Sequence, residues 1–141
     1  MMSTADMDFL TEDESTVCFT GHRTIPESDR SGIIISLQQV MEDAFRMGFR
    51  RFLCGGAVGF DTIAALEVLA FRESHPSVRL IIAVPCRSQP LYWPLRDREI
   101  YQSVLDRANE VRILSDHYYN GCMQARNHYM VNHSSLSVSA I

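Results

Sequence analysis

Short apolar runs alternate along the chain with longer segments in which apolar residues recur every three or four positions. The short runs indicate β-strands, and they cover residues 16–20, 51–56, 78–85, 110–114 and 136–141. The longer segments indicate amphipathic helices, and they cover residues 29–47, 60–75, 94–108 and 122–133. Strands that alternate with helices predict a parallel sheet, because a parallel connection needs a crossover long enough to hold a helix.

Two segments show the pattern most clearly. The helix predicted for residues 29–47 has one apolar face, formed by Ile33, Leu37, Val40, Met41, Ala44 and Phe45. Gly48 is expected to end this helix. The run VRLIIAVP, residues 78–85, is apolar without interruption, which is typical of a strand buried on both faces. The sequence therefore predicts an α/β fold: a single Rossmann-like domain with a parallel sheet of about five strands and helices on both faces.

The chain length agrees with one domain. Its 141 residues, 46% of them hydrophobic, suffice for one core and are too few for two comfortable domains. Residues 1–14 carry several acidic side chains and precede the first strand, so we expect a flexible acidic N-terminal segment there. The domain itself is expected to span residues 15–141.

The charge balance narrows the classes of partner. The formal net charge is −4, the isoelectric point is about 5.7, and the chain has no lysine. Proteins that coat DNA or an anionic membrane concentrate Lys and Arg, so we do not expect a nucleic acid partner. No apolar segment approaches the roughly 20 residues that span a bilayer, and the polar, acidic start does not resemble a signal peptide. We therefore expect a cytoplasmic protein without membrane contact.

Cysteine and histidine show no metal-binding spacing. The four cysteines are Cys18, Cys54, Cys86 and Cys122. The five histidines are His22, His75, His117, His128 and His133. No two cysteines have the short separation that binds zinc, and no histidine pair at helical spacing is backed by a carboxylate. We expect reduced structural thiols, no bound metal and no cofactor.

The polar residues of greatest interest follow the predicted strands. In a parallel α/β sheet, ligands bind at the carboxyl ends of the strands, where loops meet the first turns of helices. The stretches at such positions are TGHR at 20–23, CGGAVGFD at 54–61, PCRSQPLYW at 85–93 and NGCMQARN at 120–127. We expect all four to meet at one edge of the sheet.

The stretch CGGAVGFD has the composition of a phosphate-binding turn. Gly55, Gly56 and Gly59 can adopt positive φ, and the following helix presents amides and the positive end of its dipole. The glycines match neither the dinucleotide-binding pattern G-x-G-x-x-G nor a P-loop, since no Lys-Ser or Lys-Thr pair follows. Asp61 has two interpretations. It can cap the helix, or it can accept a hydrogen bond from a ribose hydroxyl or act as a base.

Arg23 and His22 stand beside a glycine at the end of the first strand. The guanidinium of Arg23 can bind phosphate bidentately, and the imidazole of His22 can donate a hydrogen bond or exchange a proton. The structural alternative is an ion pair of Arg23 with Glu27 or Asp29, with His22 capping a turn. We favour the binding interpretation, because strand ends in this architecture carry ligand sites.

Two further pairs of residues have both a binding and a structural interpretation. Arg126 can supply a second cation to the same anion and Asn127 can bind a polar edge of the ligand, or both can be surface residues of a helix. Trp93 and Tyr92 can stack on a base, and the alternative for Trp93 is a hydrophobic lid or a core residue.

Together, these stretches resemble a known family. TVCFTGHR, GGAVGFDTIAA, the spaced Pro85, Gln89 and Trp93, and MQARNHYMV stand in the order of the YpsA/YoqJ-like bacterial proteins of the SLOG superfamily. This superfamily also holds the DNA-processing protein DprA and the Lonely Guy phosphoribohydrolases. The resemblance spans residues 16 to about 131. It implies a Rossmann-like fold and a nucleotide-like ligand at the strand ends, and it implies no particular reaction.

Two features depart from these relatives. GAVGFDTIAA is similar to the DprA pattern and differs from the Lonely Guy pattern, whose glycine loop leads to a catalytic glutamate; Glu67 stands too far along the helix for that role. Relatives usually continue past the last strand, whereas this chain ends in SSLSVSAI, so we expect a domain shortened at its C-terminus. An uncovered last strand then exposes an edge, which favours a homodimer.

Three functions are compatible with the sequence. The first, which we favour, is binding of a small phosphorylated nucleoside by a sensor or sequestering protein. The second is hydrolysis of an N-glycosidic or phosphoester bond in such a nucleotide, with His22 or Asp61 as acid or base. The third is binding of single-stranded DNA in the manner of DprA, against which the acidic balance counts. The residues predicted to contact the ligand are Thr20, Gly21, His22, Arg23, Gly55, Gly56, Ala57, Gly59, Phe60, Asp61, Pro85, Gln89, Trp93, Arg126 and Asn127.

Overall fold

The computed structural model describes residues 11–139, and it contains every predicted strand and helix. The strands are β1 (Thr16–Thr20), β2 (Arg51–Cys54), β3 (Arg79–Val84), β4 (Glu110–Ile113) and β5 (Leu136–Ser139). The helices are α1 (Glu27–Arg46), α2 (Phe60–Ser74), α3 (Leu95–Arg107) and α4 (Cys122–Asn132). The bounds of these elements lie within two residues of the predicted ones. Residues 140 and 141, the predicted end of the last strand, lie outside the described residues.

The five strands form one sheet in which all neighbours are parallel, in the order β4-β3-β2-β1-β5. Cys18 of β1 lies opposite Leu53 of β2 on one side and opposite Ser137 of β5 on the other. The chain moves outward from β1 to β4 and then returns along the sheet to β5. The direction of the connections therefore reverses beside β1, as in other doubly wound sheets. This topology confirms the predicted α/β, Rossmann-like fold.

Helices cover both faces of the sheet, three on one and one on the other. The larger core joins buried residues of α1, α2 and α3 to one face of β1, β2 and β3, and the rings of Phe19 and Phe52 stack within it at 6.0 Å. The smaller core lies on the opposite face, where Met130 of α4 packs with Cys18 and Leu53. Because successive strand residues point to opposite faces, Cys18 and Phe19 enter different cores.

The two clearest predictions from the pattern are confirmed. The middle of the predicted apolar face of α1 is buried at Leu37, Met41 and Ala44, and the helix stops before Gly48, which adopts φ +100°. In β3 every residue after Arg79 is buried, as expected for a strand covered on both faces. No helix within residues 11–139 is both long enough and apolar enough to cross a membrane.

The chain before β1 contacts the body of the domain. Asp13–Ser15 forms a single turn of 3₁₀ helix. The Asp13 carboxylate lies 3.0 Å from Nδ1 of His133, and the Glu12 carboxylate lies 3.6 Å from the guanidinium of Arg51. The rest of the predicted acidic segment, residues 1–10, lies outside the described residues.

Strands β4 and β5 form the two edges of the sheet, and each has apolar side chains that reach solvent. Val111 and Ile113 of β4 and Leu136 of β5 are each more than one third exposed. A partner could cover these edges, and the expected homodimer stays a prediction.

Candidate functional site

The loop that follows β2 is packed too tightly for side chains at two of its glycines. A Cβ on Gly55 would lie 2.5 Å from Nη1 of Arg126 and 2.7 Å from Oδ2 of Asp61. Gly56 has φ +77°, and a Cβ there would lie 3.0 Å from Ile82. These two glycines let the backbone turn directly over the end of the sheet, with a buried charged pair beneath it.

That pair consists of Asp61 at the start of α2 and Arg126 in α4. Nη2 of Arg126 lies 3.6 Å from Oδ2 of Asp61, and only 6% of each side chain is exposed. Arg126 also donates from Nη1 to the carbonyl oxygen of Gly55 and from Nε to Oδ1 of Asn127 at 2.9 Å. Asp61 in turn accepts a hydrogen bond of 3.2 Å from the backbone N–H of Ala57. Since α2 and α4 lie on opposite faces, the pair joins the two layers across the carboxyl edge of the sheet.

Burial dominates the electrostatics of this pair. It raises the pKa of Asp61 from 3.8 to about 6, against the opposing effects of the Arg126 charge and the Ala57 N–H. Burial also lowers the pKa of Arg126, and the Asp61 carboxylate counteracts that shift. The pKa of the neighbouring Cys54 thiol is raised by burial and by the Asp61 charge, so this cysteine stays protonated at neutral pH.

The loop that follows β1 lies against the first turn of α2. The carbonyl oxygen of His22 accepts a hydrogen bond of 3.0 Å from the backbone N–H of Phe60. This N–H therefore already has a partner within the protein and is not available to a ligand. A Cβ on Gly21 would lie 2.4 Å from the Phe60 ring, and a Cβ on Gly59, which has φ +83°, would lie 2.1 Å from the carbonyl oxygen of Arg23. Glycine is therefore required at both positions, because backbone and ring approach within contact distance.

His22 and Arg23 are themselves exposed. Among residues 11–139, Arg23 forms no ion pair with Glu27, Asp29 or any other carboxylate. Of the two arginines predicted to bind phosphate, Arg23 is thus free to contact a ligand, whereas Arg126 is buried and bonded to protein groups.

A cleft of about 650 Å³ opens beside Arg23, between the first turns of α1, α2 and α3. Two predicted residues, Arg23 and Gly59, line it. Sequence reasoning missed two other arginines on its wall, Arg30 of α1 and Arg96 of α3. Each stands alone in the first turn of a helix, a position that carries no local signal of a binding role.

The loop after β3 has a polar and an aromatic part. The side-chain amide of Gln89 is buried, lies near Gly56 and makes no hydrogen bond of ordinary geometry. Burial raises the pKa of the nearby Tyr101 hydroxyl, and the proximity of the Gln89 amide opposes this rise. Trp93 packs edge-to-face on Tyr101 at 5.2 Å and contacts the larger core, which supports its structural interpretation. Tyr92 beside it is 93% exposed.

The predicted site residues lie at the end of β1, in the loops that follow β1, β2 and β3, or in the first two turns of α2 and α4. Thr20 ends β1, where its hydroxyl lies 2.9 Å from that of Ser139. Pro85 is buried directly after β3. Asn127 is exposed on α4 and accepts the hydrogen bond from Arg126. The direct contacts join Gly55, Ala57, Asp61, Arg126 and Asn127 into one cluster and Gly21, His22, Arg23, Gly59 and Phe60 into a second one.

Two curated bacterial proteins are similar to this chain. The SPbeta prophage-derived protein YoqJ of Bacillus subtilis (strain 168) is 33% identical over 101 residues, which cover 63% of this chain and 59% of YoqJ. The UPF0398 protein BH1768 of Halalkalibacterium halodurans is 30% identical over 89 residues, which cover 62% of this chain and 47% of BH1768. The chain thus spans about half the length of the curated relatives it matches.

One solved structure shares the fold. It is that of DNA processing protein A from Helicobacter pylori, described for its single-stranded DNA binding mode. The TM-score is 0.57 at 18% sequence identity, and the match covers 88% of this chain and 52% of the other. The YpsA family, described as the YspA SLOG family, matches residues 18–139, which include both site clusters. By this match the chain belongs to the YpsA family of SLOG proteins.

Proposed function

We propose that this protein binds a small phosphorylated nucleoside at the carboxyl edge of its sheet and acts as a sensor or sequestering module for that ligand. The observation that supports this most directly concerns Arg23. Its exposed side chain forms no ion pair within residues 11–139, and its backbone contacts Gly59 of the loop that the buried pair of Asp61 and Arg126 fixes. A turn that is already fixed loses little backbone entropy when an anion binds, and an exposed guanidinium can form charge-assisted hydrogen bonds with that anion.

In this proposal the two arginines have different tasks. Arg23 contacts the phosphate, because its guanidinium is exposed and planar and forms bidentate bonds with phosphate oxygens. Arg126 holds the Gly55 carbonyl and the Asp61 carboxylate, so it fixes the shape of the turn. A buried charge without a partner destabilises the folded protein. Removing either Asp61 or Arg126 is therefore expected to destabilise it, because the other charge stays buried and unpaired.

Gln89 is suited to the nucleoside part of the ligand. A buried amide without a well-formed hydrogen bond costs about 1–3 kcal/mol, and a ligand group that pairs with it recovers part of this cost. An amide both donates and accepts, so it can bind a base edge or a ribose hydroxyl.

Isothermal titration calorimetry with adenosine monophosphate tests the proposal. We expect the Arg23→Gln variant to bind about 10- to 100-fold more weakly than the wild type, since a hydrogen bond to a charged group contributes about 1.5–3 kcal/mol. The matched control is Arg79→Gln, an exposed arginine at the opposite end of the strands, which should leave the affinity unchanged. Equal losses in both variants, or the absence of binding to the wild type, would refute the proposed site.

Chromatography of the nucleotide after incubation with the protein separates binding from hydrolysis. A binding protein returns the nucleotide intact at high protein concentration. Release of free base or of phosphate would instead assign a hydrolytic role to this edge, with Asp61 as the first residue to replace, because its pKa of about 6 suits proton transfer near neutral pH.

Binding of single-stranded DNA is the second candidate function. It is favoured by the shared fold with the Helicobacter pylori protein and by three exposed tyrosines, Tyr92, Tyr118 and Tyr119, in the loops after β3 and β4. Aromatic side chains along a groove stack with bases, and each stack contributes about 1–3 kcal/mol. Fluorescence anisotropy with labelled oligothymidine should then show weaker binding for Tyr92→Ala and no change for Met47→Ala, an exposed residue at the far end of α1. Oligothymidine binding that is lost equally in both variants, or that is absent, removes this candidate.

A further inference from the structure

The cleft between the first turns of α1, α2 and α3 has three arginines on its wall, and none of them forms an ion pair within residues 11–139. Arg23 comes from the loop after β1, Arg30 from α1 and Arg96 from α3. None of the three side chains forms an ion pair or a hydrogen bond with another of the described residues 11–139. By contrast, Arg51 and Arg112, far from this cleft, each contact the carboxylate of Glu110.

Two carboxylates, those of Glu27 and Asp97, also line the cleft, and neither forms an ion pair with an arginine of residues 11–139. Glu27 and Asp97 stand in the first turns of α1 and α3, where a negative charge is stabilised by the helix dipole. Three arginines against two carboxylates leave the wall with one net positive charge. The three guanidinium groups can therefore form charge-assisted hydrogen bonds with the phosphate oxygens of a ligand.

Part of the cleft lining is apolar. The apolar residues, which we call its apolar floor, are Ile25, Val58, Ile63, Leu66 and Ile100. The volume of about 650 Å³ lies within the range of small-molecule sites. An apolar floor with cations at the rim matches a nucleoside phosphate, whose base prefers an apolar surface and whose phosphate prefers guanidinium groups.

Arg23 connects this cleft with the glycine turn described above. Its side chain lines the cleft, and its carbonyl oxygen lies against Gly59 at the start of α2. The charge of Arg23 also acts on buried Arg126 and helps to lower its pKa, which places both cations in one electrostatic environment. A ligand held by Arg23 can therefore extend toward the turn on one side and toward Arg30 and Arg96 on the other.

We infer that the cleft is a second nucleoside-phosphate subsite and that the ligand class of this protein is a 5′-phosphorylated dinucleotide, with its two phosphates separated by one nucleoside. This inference rests on the proposed function, because the first nucleotide occupies the glycine turn. Arg30 and Arg96 bind the second phosphate, and the apolar floor binds the second base. A mononucleotide leaves this subsite empty.

Calorimetry with two probes tests the inference: adenosine monophosphate and the 5′-phosphorylated adenosine dinucleotide pApA. We expect the wild type to bind pApA at least about tenfold more tightly than the monophosphate, since one charge-assisted phosphate contact is worth about this factor. Arg96→Gln and Arg30→Gln should each remove most of that gain and leave the affinity for the monophosphate unchanged. The matched control is Arg98→Gln, on the same helix as Arg96 but outside the cleft, which should preserve both affinities.

Each outcome decides one of the two proposals. Equal affinities of the wild type for pApA and the monophosphate, or equal losses in Arg96→Gln and Arg98→Gln, would overturn the second subsite while leaving the first intact. Failure of the monophosphate to bind, with pApA binding that depends on Arg96 alone, would overturn the site at the glycine turn and keep the cleft. Because all three arginines are on the surface, circular dichroism and thermal melting establish that each variant is folded.

Discussion

Replacing Asp61 by Asn tests which force dominates at the candidate site. The carboxyl group is almost fully buried, which disfavours its charged form, and it lies next to the Arg126 guanidinium, which favours that form. Burial has the larger effect and raises the pKa from 3.8 to about 6. The Asn side chain keeps the shape of the carboxyl group and removes its titration.

The sign of the pH dependence follows from the raised pKa. Between about pH 4 and pH 6 the native protein holds the proton of Asp61, whereas the unfolded chain has released it. The free energy of unfolding therefore falls as the pH rises through this window, and it stays lower above it. A shift from 3.8 to about 6, at about 1.4 kcal/mol per pH unit, corresponds to about 3 kcal/mol.

The assay is urea unfolding of the wild type and of Asp61→Asn from pH 4 to pH 7, followed by the fluorescence of Trp93, the single tryptophan, which packs on Tyr101. Groups shared by both proteins cancel in the difference of their unfolding free energies. We expect that difference, wild type minus variant, to fall by about 3 kcal/mol over this range.

A difference that is flat or that rises with pH would refute the reasoning, because it would mean that the Arg126 charge outweighs burial. Arg126→Gln provides a second check. Without the guanidinium, the pKa of Asp61 should rise further, so the fall in stability should move to higher pH.

Other predictions concern packing, and urea unfolding at neutral pH checks each of them. Gly59→Ala should cost more than about 2 kcal/mol, since φ is +83° and the new Cβ would meet the carbonyl oxygen of Arg23, whereas Gly32→Ala in open space on α1 should stabilise by about 0.5–1 kcal/mol. If both glycine variants lose the same stability, the close approach at Gly59 is wrong. Met130→Ala should cost about 2–5 kcal/mol, because this fully buried side chain anchors α4 on its face of the sheet; a loss under 1 kcal/mol would contradict that role. Thr62→Val removes a hydrogen bond of 2.9 Å to a carbonyl of the glycine loop and should cost about 1 kcal/mol, and an unchanged midpoint would show that the bond contributes nothing.

Local patterns were enough to predict the fold. The elements are regular, and each apolar run or periodic segment is long enough to identify its type. Alternation of strands and helices then leaves few topologies, since parallel connections cross through helices on the faces of the sheet. The same rule predicts that the polar stretches lie at one edge of the sheet.

Local patterns did not predict which charged residues of the candidate site are buried and paired and which are exposed. Asp61 and Arg126 are 65 positions apart, and they meet only because α4 crosses to the face opposite α2 and reaches over the end of β2. The sequence left two interpretations of Arg126 open, a second cation for the anion or a surface residue of a helix, and neither includes its burial, because residue type alone does not report burial. In the structure, Arg126 differs from Arg23 because it is buried and hydrogen-bonded to Gly55 and Asn127.

The sequence by itself determined the α/β class, the parallel sheet, the edge of the sheet at which the polar stretches lie and the glycines that the turns require. These depend on periodicity and backbone conformation within short segments. The tertiary structure decided which charged side chains are buried together and which of the two arginines, Arg23 or Arg126, is exposed. It also decided which helices contribute their first turns to the cleft. Arg30 and Arg96 illustrate the difference: they lie 66 positions apart and become neighbours on one wall only when α1 and α3 pack on either side of α2. Burial and pairing depend on long-range packing, and no local pattern encodes them.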